Sequence, residues 1–131
     1  MDAVADPVRT KMALPPAPRT LEELISAPRA LYQAFEARQG LVKAALHSEL
    51  FHRMRDTQAK VRWTAIRRLV DECAPRRSER DRRFAAANIR YHLAASTWHY
   101  YRFYFRFSPE HTIACAEIAI RQSLEALGRK F

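Results

Sequence analysis

Glycine is scarce in this chain. Gly40 and Gly128 are the only two in 131 residues. A β-rich protein needs many more at turns with positive φ, so the scarcity favours helices. Cysteine is as rare: Cys73 and Cys115 are a lone, distant pair, and two reduced core thiols are expected rather than a disulfide or a metal site. No uncharged stretch approaches the roughly 20 residues needed to span a bilayer. The first eleven residues contain no apolar run of the kind found in secretory signals, so a cytoplasmic location is expected.

Acid is short as well. The chain carries 23 Lys and Arg against 14 Asp and Glu, a net charge of +9. The excess is concentrated between residues 53 and 90, where twelve cationic side chains meet five acidic ones. Such a stretch can steer a protein toward nucleic acid or an acidic partner, and it can equally be a solvated face. It supplies no element that reads base edges, so specific DNA recognition by this chain alone is not expected.

Four of the seven prolines, Pro7, Pro15, Pro16 and Pro18, fall within residues 1–19, which reads as an arm or linker. Residues 20–131 then form one all-α domain of five or six helices. Thr20 and Glu23 make a capping box, followed by one apolar face of Leu21, Leu24, Ile25, Leu31, Tyr32 and Phe35. Pro28 is expected to kink or split this helix, with Ser26 as a second cap, and Gly40 to stop it. A helix over 41–55 buries Val42, Leu46, Leu50 and Met54; Asp56 caps another over 57–73, with Ala59, Trp63, Ile66, Val70 and Cys73 inward.

Ser78 caps a helix in which no proline or glycine intervenes before Ser108. Unbroken, it spans 79–107, about 42 Å at 1.5 Å per residue. Phe84, Tyr91, Trp98 and Phe105 recur every seven residues, while Ile89, Leu93, Tyr100, Tyr104 and Phe107 form a second apolar face. One face should meet the core and the other a partner. Ser108-Pro109-Glu110 opens the last helix and Gly128 ends it. Its core stripe is Ile113, Ala116, Ile120, Leu124 and Leu127; Ala114, Ile118 and Ala119 leave another side small and partly apolar, suited to close helix packing.

Candidate chemistry is limited. His92, Ser96 and His99 share one helical face, but two histidines seven apart lie about 10 Å apart along the axis, too far to ligate one metal. Ser96 has no visible oriented base or oxyanion donors, so no catalytic role and no cofactor are expected. Trp63, Tyr91, His92, Ser96, His99 and Phe103 are the candidate contacts for a small ligand, with plain packing as the other explanation. The 100–107 run interleaves aromatic with basic residues, but on a helix these point in all directions and form no base-stacking platform.

Ser96-x-Trp98, Ser108-Pro109-Glu110, Ala116-x-x-Ala119-Ile120 and Leu124-x-x-Leu127 together resemble the C-terminal end of bacterial TetR-family transcriptional regulators. The opening, Arg19 to Leu24 through Leu31-Tyr32-x-x-Phe35 to Gly40-Leu41-Val42-x-Ala44, is similar to the first helices of their effector domain. The resemblance covers roughly residues 19–127. It implies an effector-binding domain that homodimerises through its last two long helices as a four-helix bundle, with a small-molecule pocket enclosed by the preceding helices. The contacts expected at that interface are Leu93, Tyr100, Tyr104, Phe107, Ala114, Ile118 and Ala119. The family's helix-turn-helix headpiece has no counterpart here. Two other functions stay open: an interaction protein that pairs with a full-length relative and blocks its DNA binding, and an enzyme made from an old effector pocket.

Titrating labelled duplexes against salt checks the electrostatic reading. Binding should be indifferent to sequence, steeply salt-dependent and of order 10⁻⁴ to 10⁻⁶ M. Tight, salt-resistant preference for one duplex would contradict it.

Overall fold

Helices begin at the capping signals. In a computed structural model the described residues are 14–128, less the side chains of 49–58. Helix α1 spans Leu21–Ala37. The Thr20 hydroxyl accepts from the Glu23 amide at 3.1 Å, and the Glu23 carboxylate reaches back to the Arg19 amide at 2.8 Å, one residue beyond its usual target. Pro28 does not split α1; its ring is buried, and that burial offsets the helix bond it removes. Ser26 caps no second helix and donates to the Glu23 carbonyl instead. The helix ends at Ala37, before Gly40, which lies in the first turn of α2 (Gln39–Leu46).

The expected pair of helices over 41–55 and 57–73 is divided differently. The junction falls at His47 and Ser48, and α3 runs unbroken over Glu49–Cys73. Asp56 therefore lies inside α3 instead of at a helix start, and its side chain lies outside the described ones. Ile66, Leu69 and Val70 form its buried stripe, with Trp63 and Cys73 half-buried beside it. Leu50 and Met54, expected in the core, lie outside the described side chains.

Helix α4 (Glu79–Tyr91) opens where Ser78 Oγ accepts from the Asp81 amide at 3.0 Å. It does not continue to 107. The chain breaks at His92–Ala94, resumes as α5 (Ala95–His99), and runs directly into a π-helical turn, Tyr100–Tyr104. No proline or glycine causes the break. An unbroken helix would give the Tyr91 and His92 carbonyls to the amides four residues on. Instead the Thr97 hydroxyl takes the Tyr91 carbonyl at 2.5 Å, and the Tyr32 hydroxyl from α1 takes that of His92 at 2.5 Å. Ala94 adopts an extended backbone, φ −85° and ψ 145°, and the chain changes direction.

Helix α6 (Pro109–Glu125) starts with Ser108 Oγ accepting from the His111 amide, and Gly128 at φ +91° follows its end. The Arg77 guanidinium donates to the carbonyls of Ala126 and Leu127. Among the described residues no strand occurs, and no helix is long and apolar enough to cross a membrane. Helix α1 lies against α6, α4 lies against both α3 and α6, and α2 lies against α3 and α5. Leu24, Leu31, Ile66, Val70, Ala86, Ile89, Trp98, Ile113, Ile120 and Leu124 fill the space between them.

Tyr32→Phe removes the donor to His92 while keeping the ring's volume. Stability in urea should fall by about 1 kcal/mol, since one buried acceptor loses its partner. An unchanged midpoint would mean that the break does not depend on that bond.

Candidate functional site

The break reassigns the apolar faces of the aromatic segment. Trp98 is fully buried, yet Phe84, Tyr91 and Phe105, spaced seven apart with it in sequence, are about half or more exposed. Ile89 and Leu93 have gone inward. Leu93, expected at a partner interface, is a core residue because its carbonyl neighbour is anchored to α1 through Tyr32. Of the seven large apolar side chains exposed among the described residues, six lie on α4, on the π turn with its C-cap, and on α6: Phe84, Tyr91, Tyr100, Tyr104, Phe105 and Ile118. The seventh, Val61, is on α3.

Helices α4 and α6 touch along their sides, so their outward faces adjoin. Ala87 is exposed between Phe84 and Tyr91, and Ala114 is exposed one turn before Ile118; Ala119 is half-buried. Tyr101 joins this surface to the π turn. Burial raises its phenol pKa, helped by Cys115 and Tyr91. Tyr101 stacks on Phe107, and Tyr100 stacks on Tyr104 with centroids 4.5 Å apart and planes 11° from parallel. Of the expected contacts, Tyr100, Tyr104, Ala114 and Ile118 are exposed and Phe107 is half-buried; Phe84, not among them, is exposed as well.

The six candidate ligand contacts do not converge. Trp63 lines a shallow depression on α3 with Thr64, Arg67 and Asp71. Tyr91 is on the outer face, and His92 closes α4, its Nδ1 bonded to the Asn88 carbonyl at 2.7 Å. Ser96 lines a mainly apolar cleft with Leu31, Phe35, Leu93, Arg62 and Arg90. The cleft offers about 80 Å³, small beside ligand pockets of roughly 300–1,000 Å³. The six candidates meet only in two separate pairs, Tyr91 with His92, centroids 5.5 Å apart, and His99 with Phe103, 5.1 Å apart and both against the buried Trp98 ring. Among the described residues no cluster of three His, Cys, Asp or Glu could hold a metal.

A polar network fixes the π turn. Glu36 of α1 accepts from Trp98 Nε1 at 2.9 Å, from Gln39 at 2.8 Å and from the Arg102 guanidinium. Arg102 also donates to the Phe107 carbonyl at 3.0 Å. The Phe105 amide returns to the Tyr100 carbonyl, five residues back, and Arg106 turns the chain at φ 61°. Burial pushes the Glu36 carboxyl up, but its bonds to Arg102, Trp98 and Gln39 outweigh that and leave it below the ordinary range.

The basic stretch is largely tied up in the fold. Arg67 pairs with Asp71 and Glu79, Arg82 with Asp71 and Glu79, and Arg68 with Glu72. Arg67 and Arg82 thereby tie α3 to the start of α4. Arg62 donates to the Pro15 carbonyl, holding the arm's end on α3. The chain matches no known family model, no curated protein and no solved structure.

Two measurements check the Glu36 network. Glu36→Gln should cost about 2 kcal/mol, because Arg102 loses its charged acceptor. In the native chain the carboxyl's folded pKa lies below its ordinary value of 4.5. Its stabilisation is therefore fully present above that value and lost as pH falls through the folded one. Acid unfolding should show a smaller pH dependence in the Gln variant; identical curves would remove the network's role.

Proposed function

We propose that this chain is the homodimerising, ligand-sensing domain of a TetR-type transcriptional regulator. One observation carries the reading: among the described residues, six of the seven exposed large apolar side chains lie on α4, on the π turn with Phe105 at its end, and on α6. A monomer gains nothing by concentrating its exposed apolar groups on one side. Small Ala87 and Ala114 beside Phe84, Tyr91 and Ile118 offer the knobs and gaps that two helices need to meet two others. A standard interface hides about 800 Å² per partner, a tenth of the 8198 Å² surface of this chain.

The resemblance of residues 19–127 to the family's effector domain supplies the transcriptional part. The polar faces support it less directly: Arg68 and Glu72 keep the exposed side of α3 solvated and paired, away from the apolar face. The ligand-sensing part draws on the cleft lined by Ser96 and on the His99–Phe103 contact. In this reading a ligand seated near α5 acts on dimer geometry through the π turn, since α5 and that turn are one continuous segment.

Sedimentation velocity tests the interface. The native chain should run at twice its 15.3 kDa mass. Ile118→Glu and Phe84→Glu should each run as monomers, because a carboxylate buried in an apolar interface without a partner is costly. Val61→Glu, on the exposed side of α3, should leave the dimer intact. Monomeric native protein, or dimers in both α4 and α6 variants, would reject the reading.

A further inference from the structure

Before α1 begins, the chain runs beside α3 as a strap that puts a side chain into the cleft lined by Ser96. Residues 14–19 form no helix or strand, and Pro15, Pro16 and Pro18 have no N–H to give one. Among the described residues the strap makes no backbone–backbone hydrogen bond. It is held in another way. Pro18 is buried, Leu14 is half-buried against the core, and two arginines of α3 donate to its carbonyls. Arg62 reaches Pro15 at 3.1 Å and Arg68 reaches Arg19 at 3.3 Å.

Leu14 is part of the cleft's lining. Leu31 and Phe35 of α1, Leu46 at the end of α2, and Leu93 and Ala94 at the break after α4 line it too. With Leu14 seated the open space is about 80 Å³; on leaving, its isobutyl group adds its own volume to that space. Arg62, 7% exposed, lines the same cleft. Withdrawing the Pro15 carbonyl takes an acceptor from a buried guanidinium, so an occupant that brings its own carbonyl is favoured over one without. The strap thus offers the cleft a branched alkyl group and a carbonyl, two elements that a small molecule can copy. A segment without helix or strand bonds also opens at lower cost than the helices beneath it.

We propose that Leu14 and the Pro15 carbonyl are a built-in occupant of the cleft, exchanged for a small uncharged molecule that joins a branched alkyl group to an amide or ester carbonyl. The alkyl group takes the place of Leu14, and the carbonyl accepts from Arg62 in place of Pro15. Binding frees the strap and fills the space against Leu93 and Ala94, at the break that sets the course of the aromatic segment. This deepens the ligand-sensing part of the function proposed above and rests on it only for the consequence of binding. The interface between copies lies on other residues, so exchange and dimerisation can fail separately.

N-acetyl-leucyl-prolinamide, which carries both elements, is the probe. Leucine methyl resonances of the full chain are followed as it is added. The Leu31 and Leu93 methyls should shift saturably, while those of Leu14 move to unfolded-chain positions. Leu14→Ala, which weakens the strap's seat, should bind the probe roughly tenfold more tightly, because less of the built-in occupant competes. N-acetyl-alanyl-prolinamide lacks the branched alkyl group, and N-acetyl-leucyl-pyrrolidide lacks the proline carbonyl. Each should bind roughly tenfold more weakly than the probe. Circular dichroism verifies that Leu14→Ala is folded, and sedimentation of the same samples reads dimerisation independently. A dimer that ignores the probe sinks the exchange alone; a monomer that takes it up sinks the dimer alone. Leu14 methyls that stay in place when the probe binds, equal affinity in the native chain and Leu14→Ala, or no preference among the three compounds would each overturn the proposal.

Discussion

The carbonyls of Tyr91 and His92 are claimed by hydroxyl groups instead of by the helix they belong to, and the layout of the aromatic half of the chain follows. Thr97 takes one from three residues past Ala94, and Tyr32 takes the other from α1. Burial pushes the Tyr32 phenol pKa well up, so it remains a proton donor across the ordinary pH range. With both carbonyls satisfied from outside, α4 can stop without leaving buried acceptors unpaired. The change of direction sends Leu93 and Trp98 into the core together. It leaves Phe84 and Tyr91 facing outward beside Ala114 and Ile118, and it carries His99 and Phe103 across to Lys43.

Local signals were legible in the sequence. Ser78, Ser108 and Thr20 cap because each needs only its own next turn, and Gly128 ends the last helix for the same reason. The outward placement of Ala114 and Ile118 follows from the 3.6-residue period of α6, whose other stripe is core. The break at His92–Ala94 was not legible. Its cause is a tyrosine sixty residues upstream, and the break contains neither glycine nor proline. Leu93, placed outward on the assumption of a continuous helix over 79–107, moved to the core with it, whereas Tyr100 and Tyr104 stayed exposed. Asp56 and Gly40 misled for a related reason: both favour helix ends, and neither compels one.

Charge organises this fold more than its net excess suggests. Arg67 and Arg82 bridge the end of α3 to the start of α4 through Asp71 and Glu79, and Arg77 caps the last helix. These pairs are part-exposed, so each contributes little to stability alone. Their effect is positional: they hold α4 at the angle that presents Phe84 and Tyr91. Glu36 does the corresponding task for the π turn, drawing Arg102 and Trp98 toward α1. The contact of Lys43 and His99 with Phe103 is invisible in the sequence, because it forms only when the turn folds back on α2.

In the proposed dimer, α4 and α6 present one apolar face to a second copy of the chain. Gln122 is exposed on α6, one turn beyond Ile118, and a spin label there reports directly on it. With Cys73→Ser and Cys115→Ser removing other thiols, Gln122→Cys labelled on every chain should give one narrow, short distance between chains by pulsed dipolar spectroscopy. Dilution with unlabelled chain should reduce the signal's depth without changing the distance. Absence of any intermolecular coupling, or a broad distribution unaffected by Phe84→Glu, would contradict the account.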